Sequence, residues 1–287
     1  MIHMKLSKSK VNTYLKCPLE FKFQYIDEIE VPQNKYMALG SDVHLVAEKF
    51  AEKFGDDLDD INIDNELLKI AHDEDIGYDL TEHLDNLGSF FKRIFVENKY
   101  KLFSQEEYLI DEDHRFSGIC DIILEDENGE LIVIDYKTSK SSSFSKYRRE
   151  LCYYKLLVEN VYGKTVSQVG VYFTKNDKLR LLEICDEENK RKYLNDDEIK
   201  EAVETMYKVR REINNENFPA KRQYLCRFCT YRHICKGYWL PEHSWNEPIY
   251  ILRINLIIFT IQFNQPFLLC VFNNYCQNNP VNYRQNK

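Results

Sequence analysis

No Gly-x-x-x-x-Gly-Lys-Ser/Thr loop occurs in the 287 residues, so they are not expected to bind a nucleoside triphosphate through a phosphate loop. The first ten residues lack the apolar core of a secretory signal, which sets the expectation of a cytoplasmic protein. The nine cysteines are an odd number, and a disulfide framework is not expected in a reducing compartment, where clustered cysteines bind metals instead. No internal repeat is present. No stretch meets the need of a spanning helix for about twenty largely apolar residues. Residues 250–272 come nearest, yet Arg253, Gln262, Asn264, Gln265 and Pro266 interrupt them, so no membrane partner is expected. From Pro248 onward acidic residues are missing altogether. Residues 241–287 are therefore set apart as a tail of unclear structure from one domain over residues 1–240.

The chain does carry 14% aromatic residues, well above a disordered composition, and enough length to bury a sizeable core. A net charge of −8 argues against nonspecific adhesion to nucleic acid, but the charge is uneven. Acidic residues crowd positions 56–85. Positive ones gather at Lys137, Lys140, Lys146, Arg148, Arg149 and Lys155, and again from Lys208 to Lys236. With Tyr147, Tyr153, Tyr154, Tyr224 and Tyr231 interleaved, these groups suit a groove that tracks a phosphate backbone and stacks bases of a single strand. For any one of these cations, a solvated helix face is the plainer role.

The chemistry concentrates in residues 116–138. Two β-rich runs, Phe116-Ser117-Gly118-Ile119-Cys120-Asp121-Ile122-Ile123-Leu124 and Leu131-Ile132-Val133-Ile134-Asp135-Tyr136-Lys137-Thr138, flank an acidic turn with Asn128-Gly129, a strong hairpin signal. Side chains at i and i+2 share a strand face, so Asp135 and Lys137 project together. Two carboxylates suit a hard cation held through oxygen, which activates water and stabilises charge on phosphate. Lys137 would orient that water or neutralise developing charge. A surface ion pair on an exposed sheet face is the competing account of Asp-x-Lys.

Asp121 followed by Asp135-x-Lys137 resembles the PD-(D/E)XK nuclease superfamily, and the flanking phrases resemble its RecB-like branch. Gly40-Ser41-Asp42-Val43-His44 looks like the Gly-x-x-x-His motif of that branch. Glu150-Leu151-Cys152-Tyr153-Tyr154 stands where the branch has Gln-x-x-x-Tyr, with Glu150 in place of Gln and Tyr154 in register. The resemblance implies an α/β, restriction-endonuclease-like αβββαβ core with a mixed central sheet flanked by helices. It implies Asp121, Asp135, Lys137, Glu150 and Tyr154 as catalytic residues. His44, Asp121, Asp135 and the Tyr136 carbonyl would be ligands of Mg²⁺ or Mn²⁺. Glu48, one helical turn beyond His44, is a candidate partner for the imidazole.

Cys226-x2-Cys229-x5-Cys235 forms a close cluster, with Cys17-Pro18 far upstream. An iron–sulfur cluster takes four Cys ligands, and the branch contains iron–sulfur members, the CRISPR-adaptation nuclease and AddB, with one Cys before the core and three after it. The resemblance thus implies a [4Fe-4S] clasp on Cys17, Cys226, Cys229 and Cys235 that joins the N- and C-terminal parts. Zinc on Cys226, Cys229, Cys235 and either His233 or Cys17 is the alternative. Cys120 and Cys152 read as small apolar core residues.

The hydrophobic spacing predicts helices over residues 9–26 (broken near Pro18), 37–54, 61–100, 146–162 and 195–215. A helical insertion is expected at about residues 52–103. Strands are expected over residues 106–112, in the hairpin, and at 168–174 and 179–185 around Asn176-Asp177. The reading that follows is a metal-dependent DNA nuclease, a single-strand-preferring exonuclease in repair, recombination or CRISPR adaptation. Its expected partners are DNA ends and a separate helicase or adaptation proteins. A non-catalytic DNA-binding or scaffolding subunit of such a complex is the rival.

Overall fold

The computed structural model describes residues 4–31, 35–55, 57–58, 60–139, 144–187, 189 and 192–239. The expectations for residues 241–287 and for Lys140 lie outside them. The chain divides into two units, Met1–Ile234 and Cys235–Lys287. The described part of the second holds one short helix, Lys236–Trp239; the rest of the architecture belongs to the first.

Its centre is the hairpin that the sequence announces. Strands β2 (Phe116–Glu125) and β3 (Leu131–Lys137) pair antiparallel. The turn between them is held by Asp126, whose Oδ1 accepts from the backbone N–H of Asn128 and of Glu130, each at 2.9 Å. Gly129 takes φ 80°, which an L side chain rarely adopts. β1 (Lys101–Asp111) adds antiparallel to β2. After β3 the chain crosses through helix α6 (Arg148–Tyr162) to β4 (Val166–Phe173), which lies parallel to β3 as a crossover connection allows. β5 (Lys178–Ile184) returns antiparallel, and a two-residue β6 (Tyr193–Leu194) closes a six-stranded mixed sheet of order β1-β2-β3-β4-β5-β6. Gly170 lets β4 and β5 approach: a Cβ there would lie 2.4 Å from the Arg180 carbonyl oxygen.

Helices cover both faces. α1 (Lys8–Lys16), α2 (Pro18–Tyr25), α6 and α7 (Asp196–Asn214) pack Val11, Phe21, Leu157 and Met206 against Val133, Val169 and Val171. α3 (Lys35–Phe54), α4 (Ile63–Asp73) and α5 (Thr81–Phe91) bury Phe50, Leu87 and Phe90 against Ile132, Ile134 and Tyr136. Each fully buried side chain of this size contributes roughly 1.5–3 kcal/mol. Ser7 caps α1 by accepting from the Lys10 N–H, and Pro18, which needs no donor at the first helical position, starts α2. Asn195 caps α7 ahead of three acidic residues in its first turn, where the helix dipole favours them.

The helix predicted over residues 61–100 is divided. α4 ends at Asp73, Asp75 takes a left-handed φ of 52°, and α5 begins at Thr81 and runs into a π-helical turn, Lys92–Glu97. The stripe Leu80, Leu84, Leu87, Phe91, Ile94 and Phe95 is nonetheless buried. Among the described residues no helix is long and apolar enough to cross a membrane.

Candidate active site

Along β3, Leu131 and Val133 face the α6 side of the sheet, and Asp135 and Lys137 continue the same row. The β2–β3 ladder stops at Ile122 and Ile134. Past that point the Tyr136 N–H donates to Asp121 Oδ2 at 2.5 Å, so a side-chain carboxylate stands in for a cross-strand carbonyl. Asp121 and Asp135 are both buried, at 8% and 2% exposure. Burying unpaired carboxylates is costly, which demands cations nearby.

Asp135 has them. Lys8 Nζ, at the start of α1, lies 2.5 Å from Asp135 Oδ1, the Tyr154 hydroxyl donates to that oxygen at 2.9 Å, and Lys137 pairs with Oδ2. Oδ2 carries no hydrogen bond of ordinary geometry beyond that ion pair. Lys8 also stands 4.3 Å above the Tyr154 ring and 3.9 Å from Glu150 Oε2. Glu150 Oε1 accepts from Asn12 Nδ2 at 2.9 Å, and Glu150 reaches the carboxylate pair through Lys8 and through its charge on Lys137.

Asp121 faces α3. His44 Nδ1 lies 3.7 Å from Asp121 Oδ1 and 3.2 Å from Glu106 Oε1 on β1. The imidazole packs edge-on to Tyr136, centroids 5.6 Å apart. Gly40, one turn before His44, sits against Thr138 with room for a methyl group: a Cβ would be 3.7 Å from Oγ1. Ligand atoms of His44, Glu106 and Asp121 all lie within 4.8 Å of one another. The carbonyl of Glu48 accepts from Gln105 Nε2, and the imidazole's carboxylate contacts are Glu106 and Asp121. An open cleft of about 550 Å³ beside this cluster is lined by Gly40, Asp42, His44, Glu48 and Glu106.

The charges pull the titrations apart. Burial, then the charge of Asp135, pushes Asp121 up to about 6. Burial also acts on Asp135, but Lys137 and Lys8 outweigh it and hold its carboxyl below the usual range. Burial disfavours the cation of Lys137, and Asp135 and Asp121 overcome that and raise it. For His44, burial is opposed by the Glu106 hydrogen bond and the Asp121 charge, with a net rise. Tyr154 is pushed well up by burial and by Asp135, so it stays a hydroxyl donor.

Thus His44, Asp121, Asp135, Tyr136, Lys137 and Tyr154 come together, with Glu150 at the edge. Glu106 and Lys8 were not anticipated as site residues. The local sign of Glu106 is its backbone: φ 43°, a conformation that a non-glycine residue adopts at a cost and that clusters at functional sites. One expectation is corrected. Tyr147, Tyr153, Tyr154 and Tyr231 are all buried and cannot stack on bases, whereas Tyr224 is exposed. Much of the basic group after β3 is also structural. Arg148 grips Glu198 and the Tyr193 carbonyl, and Lys155 pairs with Glu159.

Of the proposed cluster ligands in the first unit, Cys17 and Cys226 meet the same residue. Cys17 Sγ accepts from the Lys221 N–H at 3.5 Å, and Cys226 Sγ lies 3.9 Å from the Lys221 carbonyl. Burial raises the Cys229 thiol, with Cys17 among the charges that act on it. His233 is exposed. Cys120 and Cys152 are buried in the core, as expected.

The chain belongs to the PD-(D/E)XK nuclease superfamily, whose sequence model matches residues 5–236. Among solved structures, it is similar to a candidate exonuclease from Eubacterium rectale, with 13% identity, TM-score 0.49, and 88% of this chain and 93% of that one covered. It is also similar to SSO0001, with 16% identity, TM-score 0.34, and coverage of 81% and 95%. No curated protein matches the chain.

Proposed function

We propose that this protein is a divalent-cation-dependent DNA nuclease of RecB-like type, acting on single strands or DNA ends. The observation that carries the reading is the convergence of His44, Glu106 and Asp121 beside the Asp135–Lys137 pair at one end of the hairpin. The donor set fits Mg²⁺ or Mn²⁺: carboxylate oxygens, one imidazole, and the buried Asp135 carboxylate, whose Oδ2 faces Lys137 as an ion pair. His44, Glu106, Asp121, Asp135 and the Tyr136 carbonyl would hold the ion, which supplies Lewis acidity at phosphate and a more acidic water. Lys137, a firmly protonated cation, donates to the attacking water or to the oxygen on which charge develops. Tyr154 and Lys8 fix the Asp135 carboxylate, and Glu150 steadies Lys8.

A structural iron–sulfur cluster on Cys17, Cys226, Cys229 and Cys235 is part of the reading. The shared Lys221 contacts of Cys17 and Cys226 support it. It would tie the two ends of the nuclease together, with no electron transfer required.

End-labelled single- and double-stranded DNA, incubated with Mn²⁺ or with EDTA, tests the activity. Cleavage only with the metal is expected, and activity that survives EDTA overturns the reading. Asp135→Ala and Lys137→Ala should abolish cutting while DNA binding persists; wild-type rates in both would mean the chemistry lies elsewhere. Binding without cleavage in the wild type would favour the non-catalytic scaffold.

A further inference from the structure

Residues 217–234 carry Lys221, Arg222, Arg227 and Arg232 and no acidic residue, in a chain whose net charge is −8. Within this segment Tyr224 and Phe228 are 71% and 70% exposed, far beyond what a folding core would leave outside. Both rings belong to one short 3₁₀ turn, Tyr224–Phe228, with centroids 6.5 Å apart. The Arg227 guanidinium lies between them in sequence and over both in space, 3.6 Å from the Tyr224 centroid and 4.7 Å from that of Phe228. Two flat apolar faces and a delocalised cation, in a segment with no acidic residue of its own, match one kind of occupant: a polyanion that also presents flat aromatic faces.

We propose that Tyr224, Arg227 and Phe228 form a base-stacking platform for single-stranded nucleic acid. Its position gives it a use in the nuclease reading, on which the choice of substrate rests. Lys221 Nζ binds the Leu15 carbonyl at 2.9 Å and Gln223 Nε2 the Lys16 carbonyl at 3.0 Å, so the turn is docked on the C-terminal end of α1. The other end of α1 is Lys8, which touches Asp135. Nine residues of helix at ~1.5 Å each span roughly 14 Å, about four stacked nucleotides at ~3.4 Å per step. A strand stacked on the platform and running along α1 would meet the carboxylate pair after a few nucleotides.

The test is fluorescence polarisation with the full chain in EDTA, where no cutting occurs, using labelled oligothymidine and a matched duplex. Tyr224→Ala with Phe228→Ala is expected to weaken single-strand binding about tenfold or more, since stacking on one aromatic residue contributes that order of affinity. Duplex binding and thermal midpoint should be unchanged, and Tyr224→Trp with Phe228→Trp should restore the loss. Single-strand affinity that is equal in wild type and the double alanine variant overturns the platform, as does a wild type that binds no single strand. If the alanine variant keeps its DNA affinity but loses self-association in light scattering, the rings cover a protein surface instead. Platform binding without metal-dependent cleavage would remove the nuclease reading and leave this one standing; the reverse result would do the opposite.

Discussion

Two ammonium groups, Lys8 and Lys137, face the single carboxylate of Asp135. Lys137 was legible because it shares a strand face with Asp135 two residues away. Lys8 was not, since the contact spans 127 positions and a lysine at a helix start has no local mark. If Lys8 competes with a divalent cation for Asp135, then Lys8→Met should lower the half-saturating Mn²⁺ concentration by about tenfold, equivalent to ~1.4 kcal/mol of relieved repulsion between like charges. Calorimetric titration reads this without turnover, and an unchanged midpoint would show that Lys8 leaves the carboxylate free. Glu106 is the matching case of opposite sign. Its spacing in β1 gave a strand but no role, because only the fold brings it 3.2 Å from His44. Glu106→Gln should weaken Mn²⁺ binding by roughly ten- to a hundredfold, the range for a lost contact around a metal site. An affinity equal to wild type would remove Glu106 from the site.

At the scale of elements, the hairpin, α3, α6 and α7 followed from patterns that are complete within a single segment. The division of residues 61–100 did not, because the apolar stripe runs on through α5 and the break depends on a left-handed Asp75. β6 was also invisible, being two residues whose strand character comes from pairing with β5. A brace at the end of β1 shows how one element is tied to another. Asp111 accepts from the His114 N–H at 3.0 Å, from Asn160 Nδ2 of α6 at 2.7 Å, and contacts His114 Nδ1 at 2.7 Å. Burial pushes its carboxyl up, but the His114 backbone and Asn160 hydrogen bonds outweigh that, and the net shift is downward. A depressed native pKa stabilises the fold above the unfolded value of ~3.9 and loses that contribution as pH falls through the native one. Asp111→Asn should therefore cost about 1 kcal/mol near neutrality, and the gap to wild type should close as acid protonates Asp111. Urea unfolding across that range measures it, and a gap that widens in acid would contradict the assignment.

For the whole molecule, the family match ends at residue 236, and every proposed metal and cluster ligand precedes residue 240. Truncation after Pro241 should accordingly leave Mn²⁺-dependent cleavage and iron content unchanged; loss of soluble folded protein would show that the tail packs on the nuclease. Cys17 tests the clasp itself. It is the residue between α1 and α2, and Lys221 from the far end of the first unit already bonds to its sulfur. Closing so long a loop through a metal cluster would restrict the unfolded chain strongly, and metal loading would be coupled to folding. Anaerobically purified protein should then be brown with about four irons per chain. Cys17→Ala should lose the colour and lower the thermal midpoint, while His233→Ala changes neither. A colourless preparation with one zinc per chain, indifferent to Cys17→Ala and dependent on His233, would replace the cluster with a tetrahedral zinc site in which Cys17 has no part.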